Sequence, residues 1–254
     1  ANNNAWDGTF NQDGGTVTFY SDAGTTVGGN GILRLGHSGT LVNTYTYNLN
    51  AGTLTVPQIE RNTANGATAI FNLNGGTLKA ARANATWIQN LSQFNVSGTP
   101  TIDDGGFAVT IPQVIGGSSG TLTKQGSGTL ILTAANSYSG TVDVMGGTLA
   151  IGGTGSLSNV SVSNGTVDGT GTFNTVTVAN NIASIVANGN GTAANFTIGS
   201  LTFNGAGKFS LETSNVSPSS QVVTTTSLTA NGAADSVVVD VANAGGWIIG
   251  QTYN

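Results

Sequence analysis

The sequence predicts an all-β protein that folds as a right-handed parallel β-helix, a solenoid of stacked coils. Short stretches in which apolar and polar residues alternate recur along the chain. A Gly-Thr pair followed by Leu or Val recurs with them, with many successive intervals of roughly 18–24 residues, one close pair and a doubled interval. Helices are not expected, because glycine interrupts almost every window in which an i, i+3, i+4 apolar stripe would have to lie.

The alternating stretches have the pattern of strands with one face buried and one face in water. Leu, Val, Ile and Phe are expected to point inward, and the Thr, Ser and Asn residues between them outward. The clearest stretches are residues 16–19, 45–49, 69–73, 129–132, 160–162, 176–178 and 237–241.

The Gly-Thr pairs are expected to mark corners at which the coil turns into a strand. Glycine permits positive φ at a corner, and asparagines such as Asn74, Asn164 and Asn204 tolerate the same region and can stack in amide ladders. A β-sandwich is the alternative fold, since it also has short strands and glycine turns, but it would not predict a repeat at coil spacing. The pairs begin at Gly15, Gly52, Gly76, Gly120, Gly128, Gly147 and Gly165.

The low charge and the lack of long apolar runs argue against two classes of function. Only 7% of the residues are charged, the net charge is −5, and the six Lys and Arg residues form no basic stripe, so nucleic-acid binding is not expected. No apolar run reaches the roughly 18 residues of a membrane helix, so membrane insertion is not expected either. The chain has no cysteine, which fits a bacterial exported protein. Its neutral polar surface has little charge repulsion and favours self-association, end to end or laterally.

One stretch resembles a known family. Leu122-Thr-Lys-Gln-Gly-Ser-Gly-Thr-Leu130 is followed by Asn136-Ser-Tyr-Ser-Gly140 and then by Gly146-Gly-Thr-Leu149. This order resembles the autotransporter-associated β-strand repeat, with the best match over residues 119–153. The resemblance implies a passenger β-helix at the cell surface or in the extracellular matrix of a bacterium. We expect residues 1–254 to form a single solenoid segment of a longer exported protein.

Candidates for chemistry are few, and we expect the chain not to be an enzyme. Asp103 and Asp104 could bind Ca²⁺ or act as an acid–base pair, but adjacent strand residues point to opposite faces, and no charged residue is expected one coil away. We therefore expect Asp103 and Asp104 to lie in a polar turn. The single histidine, His37, lacks a nucleophile motif. No catalytic residue, metal site or cofactor is therefore predicted, and the lysines are expected to be exposed rather than joined in isopeptide bonds.

Aromatic residues supply the binding hypothesis. If Trp87, Tyr45, Tyr47 and Tyr138 were exposed, their rings could stack on sugars; the competing interpretation places them in the core, and Tyr45 and Tyr47 share one strand face. The leading expectation is an extracellular structural element, namely a surface stalk, matrix protein or filament subunit. The alternative is an adhesin that binds glycans or cell surfaces, and a polysaccharide-active β-helix enzyme ranks third.

Overall fold

Short strands paired in parallel make up most of the described part of the protein. The computed structural model describes residues 7–19, 31–36, 43–62, 66–188, 196–212, 223–233 and 236–242. Within these ranges every strand pair is parallel. The predicted all-β solenoid is confirmed. The β-sandwich alternative, which needs antiparallel sheets, is wrong, and the predicted right hand of the coil stays a prediction.

The largest sheet, called the long sheet below, has thirteen strands in the order β11-β8-β5-β3-β6-β9-β12-β14-β16-β18-β20-β22, with β1 beside β3. Its strands are β1 (Gly8–Thr18), β3 (Thr44–Val56), β5 (Thr68–Leu73), β6 (Thr77–Ala80), β8 (Gln93–Val96), β9 (Thr101–Asp103), β11 (Ile115–Gly116), β12 (Thr121–Gln125), β14 (Thr141–Val144), β16 (Ser156–Val162), β18 (Thr172–Val178), β20 (Phe196–Phe203) and β22 (Val223–Ala230).

Two further sheets complete the coils. The second sheet has seven strands, β10 (Ala108–Ile111), β13 (Thr129–Leu132), β15 (Thr148–Ile151), β17 (Thr166–Gly169), β19 (Ile185–Ala187), β21 (Gly207–Glu212) and β23 (Val237–Ala242). The short sheet has three, β2 (Ile32–Leu35), β4 (Gln58–Arg61) and β7 (Ile88–Gln89).

Several strands begin at the threonine of a Gly-Thr pair, as the sequence predicts: β6, β12, β13, β15 and β17. The apolar residue that follows this threonine is buried in each case. These residues are Leu78, Leu122, Leu130, Leu149 and Val167, and none is more than 1% exposed. The motif therefore encodes a corner, an outward hydroxyl and an inward aliphatic side chain.

Two glycines show why the corner excludes other residues. Gly120 has φ of 97°, and a Cβ built there would lie 1.9 Å from the carbonyl oxygen of Gly98 in the preceding coil. Gly128 needs no positive φ, but its Cβ would lie 2.1 Å from the carbonyl oxygen of Phe107. Left-handed backbone explains the first glycine, and close approach of successive coils explains the second.

The core consists of columns in which each coil contributes one residue. One column of the long sheet runs through Leu54, Leu78, Ile102, Lys124, Val144, Val162 and Val178. A second contains aromatic rings in contact, with centroids 5.4 Å apart for Tyr47 and Phe71 and 5.8 Å for Phe71 and Phe94. At its end the exposed ring of Phe10 lies 4.9 Å from that of Tyr47. Lys124 is the one charged residue in the first column, between Ile102 and Val144.

Amide ladders run along the outside of the coils. Asn48 donates to Asn11 at 2.7 Å, Asn72 to Asn48 at 2.7 Å, and Asn95 to Asn72 at 2.9 Å. At a corner, Asn74 donates to Asn50 at 2.9 Å. Asn231 likewise donates to Asn204 at 3.1 Å. The predicted stacking of corner asparagines is therefore confirmed at Asn74 and Asn204.

Candidate functional site

Three of the four candidate glycan-contact rings lie inside the coil. Trp87 and Tyr138 are fully buried, and Tyr47 is 4% exposed. Their polar atoms have internal partners: Trp87 Nε1 donates to the carbonyl of Val56 at 3.1 Å, Tyr138 Oη to that of Gly120 at 3.0 Å, and Tyr47 Oη to Gln12 Oε1 at 2.6 Å. The expectation that these three rings present faces to sugars is therefore wrong. Burying a large apolar ring is more favourable than leaving it in water.

Tyr45 is half-buried and packs against the core. It lies on the same strand face as Tyr47, so the two residues are neighbours at the core rather than members of a surface ladder. Burial raises the pKa of Tyr47 to about 12. Burial also raises the pKa of Tyr138, partly opposed by a hydrogen bond from the backbone of Leu122.

Asp103 and Asp104 point to opposite sides of the strand, as strand geometry predicts. Asp103 forms an ion pair with Lys79 of the preceding coil, 3.0 Å apart, in which the lysine side chain is 43% exposed. Asp104 is fully buried and forms an ion pair with Lys124 of the following coil. The expectation that no charged residue lies one coil away is therefore wrong, as is the expectation that Lys124 is exposed.

The buried ion pair has a complete set of hydrogen-bond partners. Lys124 Nζ donates to the carboxylate of Asp104 and to the carbonyl oxygens of Gln125 at 3.2 Å, Gly126 at 3.2 Å and Gly146 at 2.8 Å. Burial lowers the pKa of Lys124, whereas the hydrogen bond and the charge of Asp104 oppose that change. Three carbonyl acceptors stabilise the ammonium form, which an ion pair requires and an isopeptide bond does not.

The carboxylate is enclosed equally well. Asp104 Oδ1 accepts hydrogen bonds from the backbone N–H groups of Gly106 and Gly128, each at 2.8 Å. A Cβ at Gly126 would lie 2.2 Å from the same oxygen, and one at Gly147 would lie 2.9 Å from Lys124 Nζ. The Lys-x-Gly-x-Gly and Gly-Gly elements of the repeat thus supply a lysine, three carbonyls, an N–H donor and the space for one charged pair.

This cluster of Asp104, Lys124, Gly126, Gly128 and Gly146 joins three successive coils. Neither charged side chain has any exposed surface, so a substrate has no access to them, and the arrangement is structural. Alternation could have indicated that both side chains point inward, because Lys124 follows Leu122 at the spacing of an inward position and Asp104 follows Ile102 in the same way. It could not have indicated that the two residues meet.

The outer face of the second sheet has a shallow polar groove of about 230 Å³, smaller than the usual range for a small-molecule pocket. The groove is lined by Thr148, Thr166, Asp168, Ile185, Ala187, Asn188 and Ser210. Among the described residues, no group of three His, Cys, Asp or Glu side chains is placed to hold a metal ion, and no helix there is long and apolar enough to cross a membrane. His37 lies outside the described residues.

In a comparison with known proteins, the family model of the Passenger-associated-transport-repeat matches residues 122–151, inside the stretch 119–153 that resembles the autotransporter-associated repeat. A segment of 71 residues is 42% identical to the adhesin BmaC autotransporter of Brucella suis biovar 1 (strain 1330). That match covers 26% of this chain and 2% of the length of the Brucella protein. No solved structure matches the chain.

Proposed function

We propose that this chain is a rod-like segment of the passenger of a bacterial autotransporter adhesin, located outside the cell. The observation that carries the proposal is the passenger-type repeat at residues 122–151, together with partial similarity to an adhesin. The parallel ladder adds physical support, because coils that pair along one axis form an extended body with a large polar surface for its mass.

Adhesion then depends on the outer faces of the sheets rather than on aromatic stacking. The rings of Trp87, Tyr47 and Tyr138 are buried, so a glycan would have to be bound through hydroxyl and amide groups. The amide ladder from Asn11 to Asn95 supplies a row of such groups along the long sheet. Repeated weak contacts along a rod give strong overall attachment through multivalency.

Surface display tests the proposal. The chain is fused to the translocating domain of an unrelated autotransporter and displayed on a non-adherent bacterium, with a β-helix passenger of equal length and no adhesive role as the control. We expect attachment to cultured epithelial cells above that control, and inhibition of attachment by the soluble chain. Equal attachment of both strains would contradict the proposal. Periodate oxidation of the target cells distinguishes glycan ligands, whose removal abolishes attachment, from protein ligands.

End-to-end assembly is a second candidate role, supported by the last described coil. Leu228 pairs in register with the buried Leu201, and Val239 with Phe209, yet Leu228 is 65% and Val239 59% exposed. Among the residues that the structure describes, these core positions thus face solvent on strands β22 and β23, each of which pairs on one side only. Another coil, from a second copy or from the parent chain, would bury them.

Sedimentation at increasing concentration, followed by electron microscopy, tests this assembly. We expect oligomers or fibres of the purified chain, and their loss in Leu228→Lys, because a charge at a core position cannot be covered by an apolar coil. Thr229→Lys is the matched control, since residue 229 is also exposed but points to the opposite face. Dispersed monomers of the unaltered chain at high concentration would argue against this role.

A further inference from the structure

One corner of the solenoid exposes an asparagine whose side-chain amide has no protein partner among the described residues. This residue, Asn90, lies between β7 and β8, where the chain turns from the short sheet into the long sheet. Its φ is 57°, and within the described part of the chain no other residue except glycine has a positive φ. Asparagine tolerates the left-handed conformation better than most residues. The corner therefore holds Asn90 in a defined backbone conformation and leaves its amide free.

Asn90 begins a sequon, the pattern Asn-x-Ser/Thr at which transferases attach sugars to asparagine. The middle residue, Leu91, is 6% exposed and belongs to the core cluster. The last residue, Ser92, is exposed, and its hydroxyl accepts a hydrogen bond from the backbone N–H of Ala69 at 3.1 Å. The buried leucine thus fixes the turn against the core, while the two polar residues that define the sequon stay at the surface.

Seven other sequons occur in the sequence. Those within the described residues begin at Asn84, Asn95, Asn159 and Asn164, and those outside begin at Asn190, Asn195 and Asn215. The amide of Asn84 is bonded at both atoms: Nδ2 donates to the carbonyl of Pro57 at 2.9 Å, and Oδ1 accepts from the N–H of Thr86 at 2.8 Å. The amide of Asn95 belongs to the ladder and donates to Asn72 at 2.9 Å. A sugar on either Nδ2 would place a bulky ring beside the coil that the amide contacts.

The two remaining described sequons also have amides in contact with another coil. Asn159 lies in β16, between β14 and β18, and its Nδ2 donates to the carbonyl of Ser139 at 3.1 Å. Asn164 is exposed, but its Oδ1 lies 3.5 Å from Nδ2 of Asn181 in the following coil, and its threonine, Thr166, is half-buried at the start of β17. Within the part of the chain that the structure describes, only the corner between β7 and β8 combines a free sequon amide with an exposed serine or threonine.

We propose that Asn90 is an N-glycosylation site. The co-substrate is a sugar activated at its anomeric carbon by a diphosphate, and the catalyst is a glycosyltransferase of the bacterium. Nδ2 of Asn90 bonds to the anomeric carbon, the bond from that carbon to the phosphate oxygen breaks, and the diphosphate leaves with the electron pair. The transferase takes up one amide proton. Because the backbone of Asn90 takes no part in the reaction, the product keeps the left-handed corner.

The native fold favours this site whether the sugar is added before or after folding. A transferase that acts on the folded rod finds at Asn90 a free amide on an exposed turn. A transferase that acts on the unfolded chain could reach every sequon, but only a sugar outside the packed coils leaves the fold intact. A glycan is bulky and solubilising, so it would add hydration to a chain with only 7% charged residues. This modification goes beyond cell adhesion and does not depend on it.

Glycosylation of the folded chain in vitro tests the proposal. The purified chain is incubated with UDP-glucose and a soluble bacterial N-glycosyltransferase that recognises sequons, and mass spectrometry of proteolytic fragments measures glucose at each asparagine. Peptides cut from the chain before the reaction are the reference, because their rates give the intrinsic preference of the enzyme for each sequon. Relative to that reference, we expect Asn90 to react about tenfold faster than Asn84, Asn95 or Asn159, since each of those amides must first give up a hydrogen bond to another coil.

Three variants assign the reaction to this corner. Asn90→Gly keeps the left-handed backbone and should abolish modification of the fragment that contains residue 90. Ser92→Ala should abolish it with Asn90 in place, whereas Ser92→Thr, which keeps the sequon, should retain it. Circular dichroism establishes that each variant folds, and Asn90→Gly alone carries the comparison if Ser92→Ala does not.

The protein isolated from the surface of the bacterium that produces it provides the second measurement. We expect mass spectrometry to find a sugar on Asn90 in that material. Single hexoses would indicate a nucleotide-linked donor and a longer oligosaccharide a lipid-linked donor, and either supports the proposal. An unmodified Asn90 in the native protein would overturn it, as would equal relative rates at all four asparagines of the folded chain.

Discussion

At the scale of single residues, we expect the buried pair of Lys124 and Asp104 to have the largest effect on the free energy of unfolding. We expect Lys124→Met to reduce the free energy of unfolding by about 3–5 kcal/mol, because the buried carboxylate of Asp104 loses its partner. Urea denaturation followed by circular dichroism measures the change. Lys79→Met is the matched control, since its exposed pair with Asp103 should contribute less than about 1 kcal/mol.

Removing both charges distinguishes the contribution of the ion pair to stability from that of the packing around it. The double variant Lys124→Met, Asp104→Leu should recover most of the stability lost in Lys124→Met, since no unpaired charge remains buried. A double variant as unstable as the single one would show that the lysine acts through its hydrogen bonds to the carbonyls of Gln125, Gly126 and Gly146. Double-mutant-cycle analysis of the four proteins gives the coupling between the two residues.

Tyr47 gives the molecule a dependence on alkaline pH. Burial raises the pKa of Tyr47 from 10.0 to about 12, so the folded state keeps its proton while the unfolded state loses it. Stability should therefore fall as the pH rises from 10 towards 12, by about 2–3 kcal/mol. Tyr47→Phe should flatten that decline in urea titrations at each pH, whereas the half-buried neighbour Tyr45→Phe is the control. An unchanged decline in Tyr47→Phe would contradict this assignment.

At the scale of the structural element, the corner glycines determine whether coils can stack. Gly120→Ala should lower stability by at least about 1–3 kcal/mol, because a left-handed φ of 97° disfavours alanine. The clash of its Cβ with the carbonyl of Gly98 adds to that cost. Gly14→Ala is the control, since that Cβ would have nothing within 4 Å. Equal thermal midpoints of the two variants would contradict this account of the corner.

The strands themselves could largely be predicted from the sequence. Alternation and the Gly-Thr pairs indicate both where a strand such as β6 or β15 begins and which side chains point inward, since both are local properties of the chain. The partner of each strand could not be predicted in the same way. Register between coils depends on the number of residues in each coil, which varies along the chain, so the pairing of Lys124 with Ile102 became visible only in the structure.

Aromatic residues show a second limit of sequence analysis. The pattern around Trp87 and Tyr138 is irregular, so alternation does not assign a face to them. In the structure their rings are buried and their polar atoms bond to the backbone of neighbouring coils. The gain from burying a large ring, and the presence of a carbonyl within reach, decide its placement, and both depend on contacts distant in sequence.

At the scale of the whole molecule, contacts join each coil only to its neighbours, so stability should vary along the axis. We expect amide hydrogen exchange to be slowest in β14 and β16, which have coils on both sides and lie beside the buried ion pair. It should be fastest in β22, where Leu228 is exposed. Mass spectrometry of the exchanging protein measures this gradient, and uniform protection along the chain would contradict it.

The cluster around Lys124 and Asp104 also has a mechanical consequence. A filament anchored to a cell and attached to a distant surface carries tension when liquid flows past it. Pulling on the two ends of a solenoid peels its coils away one after another, so the extension at which it yields depends on the weakest coil met first. Because one ammonium group ties three coils together, we expect peeling to pause there, and single-molecule force spectroscopy should record a higher rupture force at that point than in Lys124→Met.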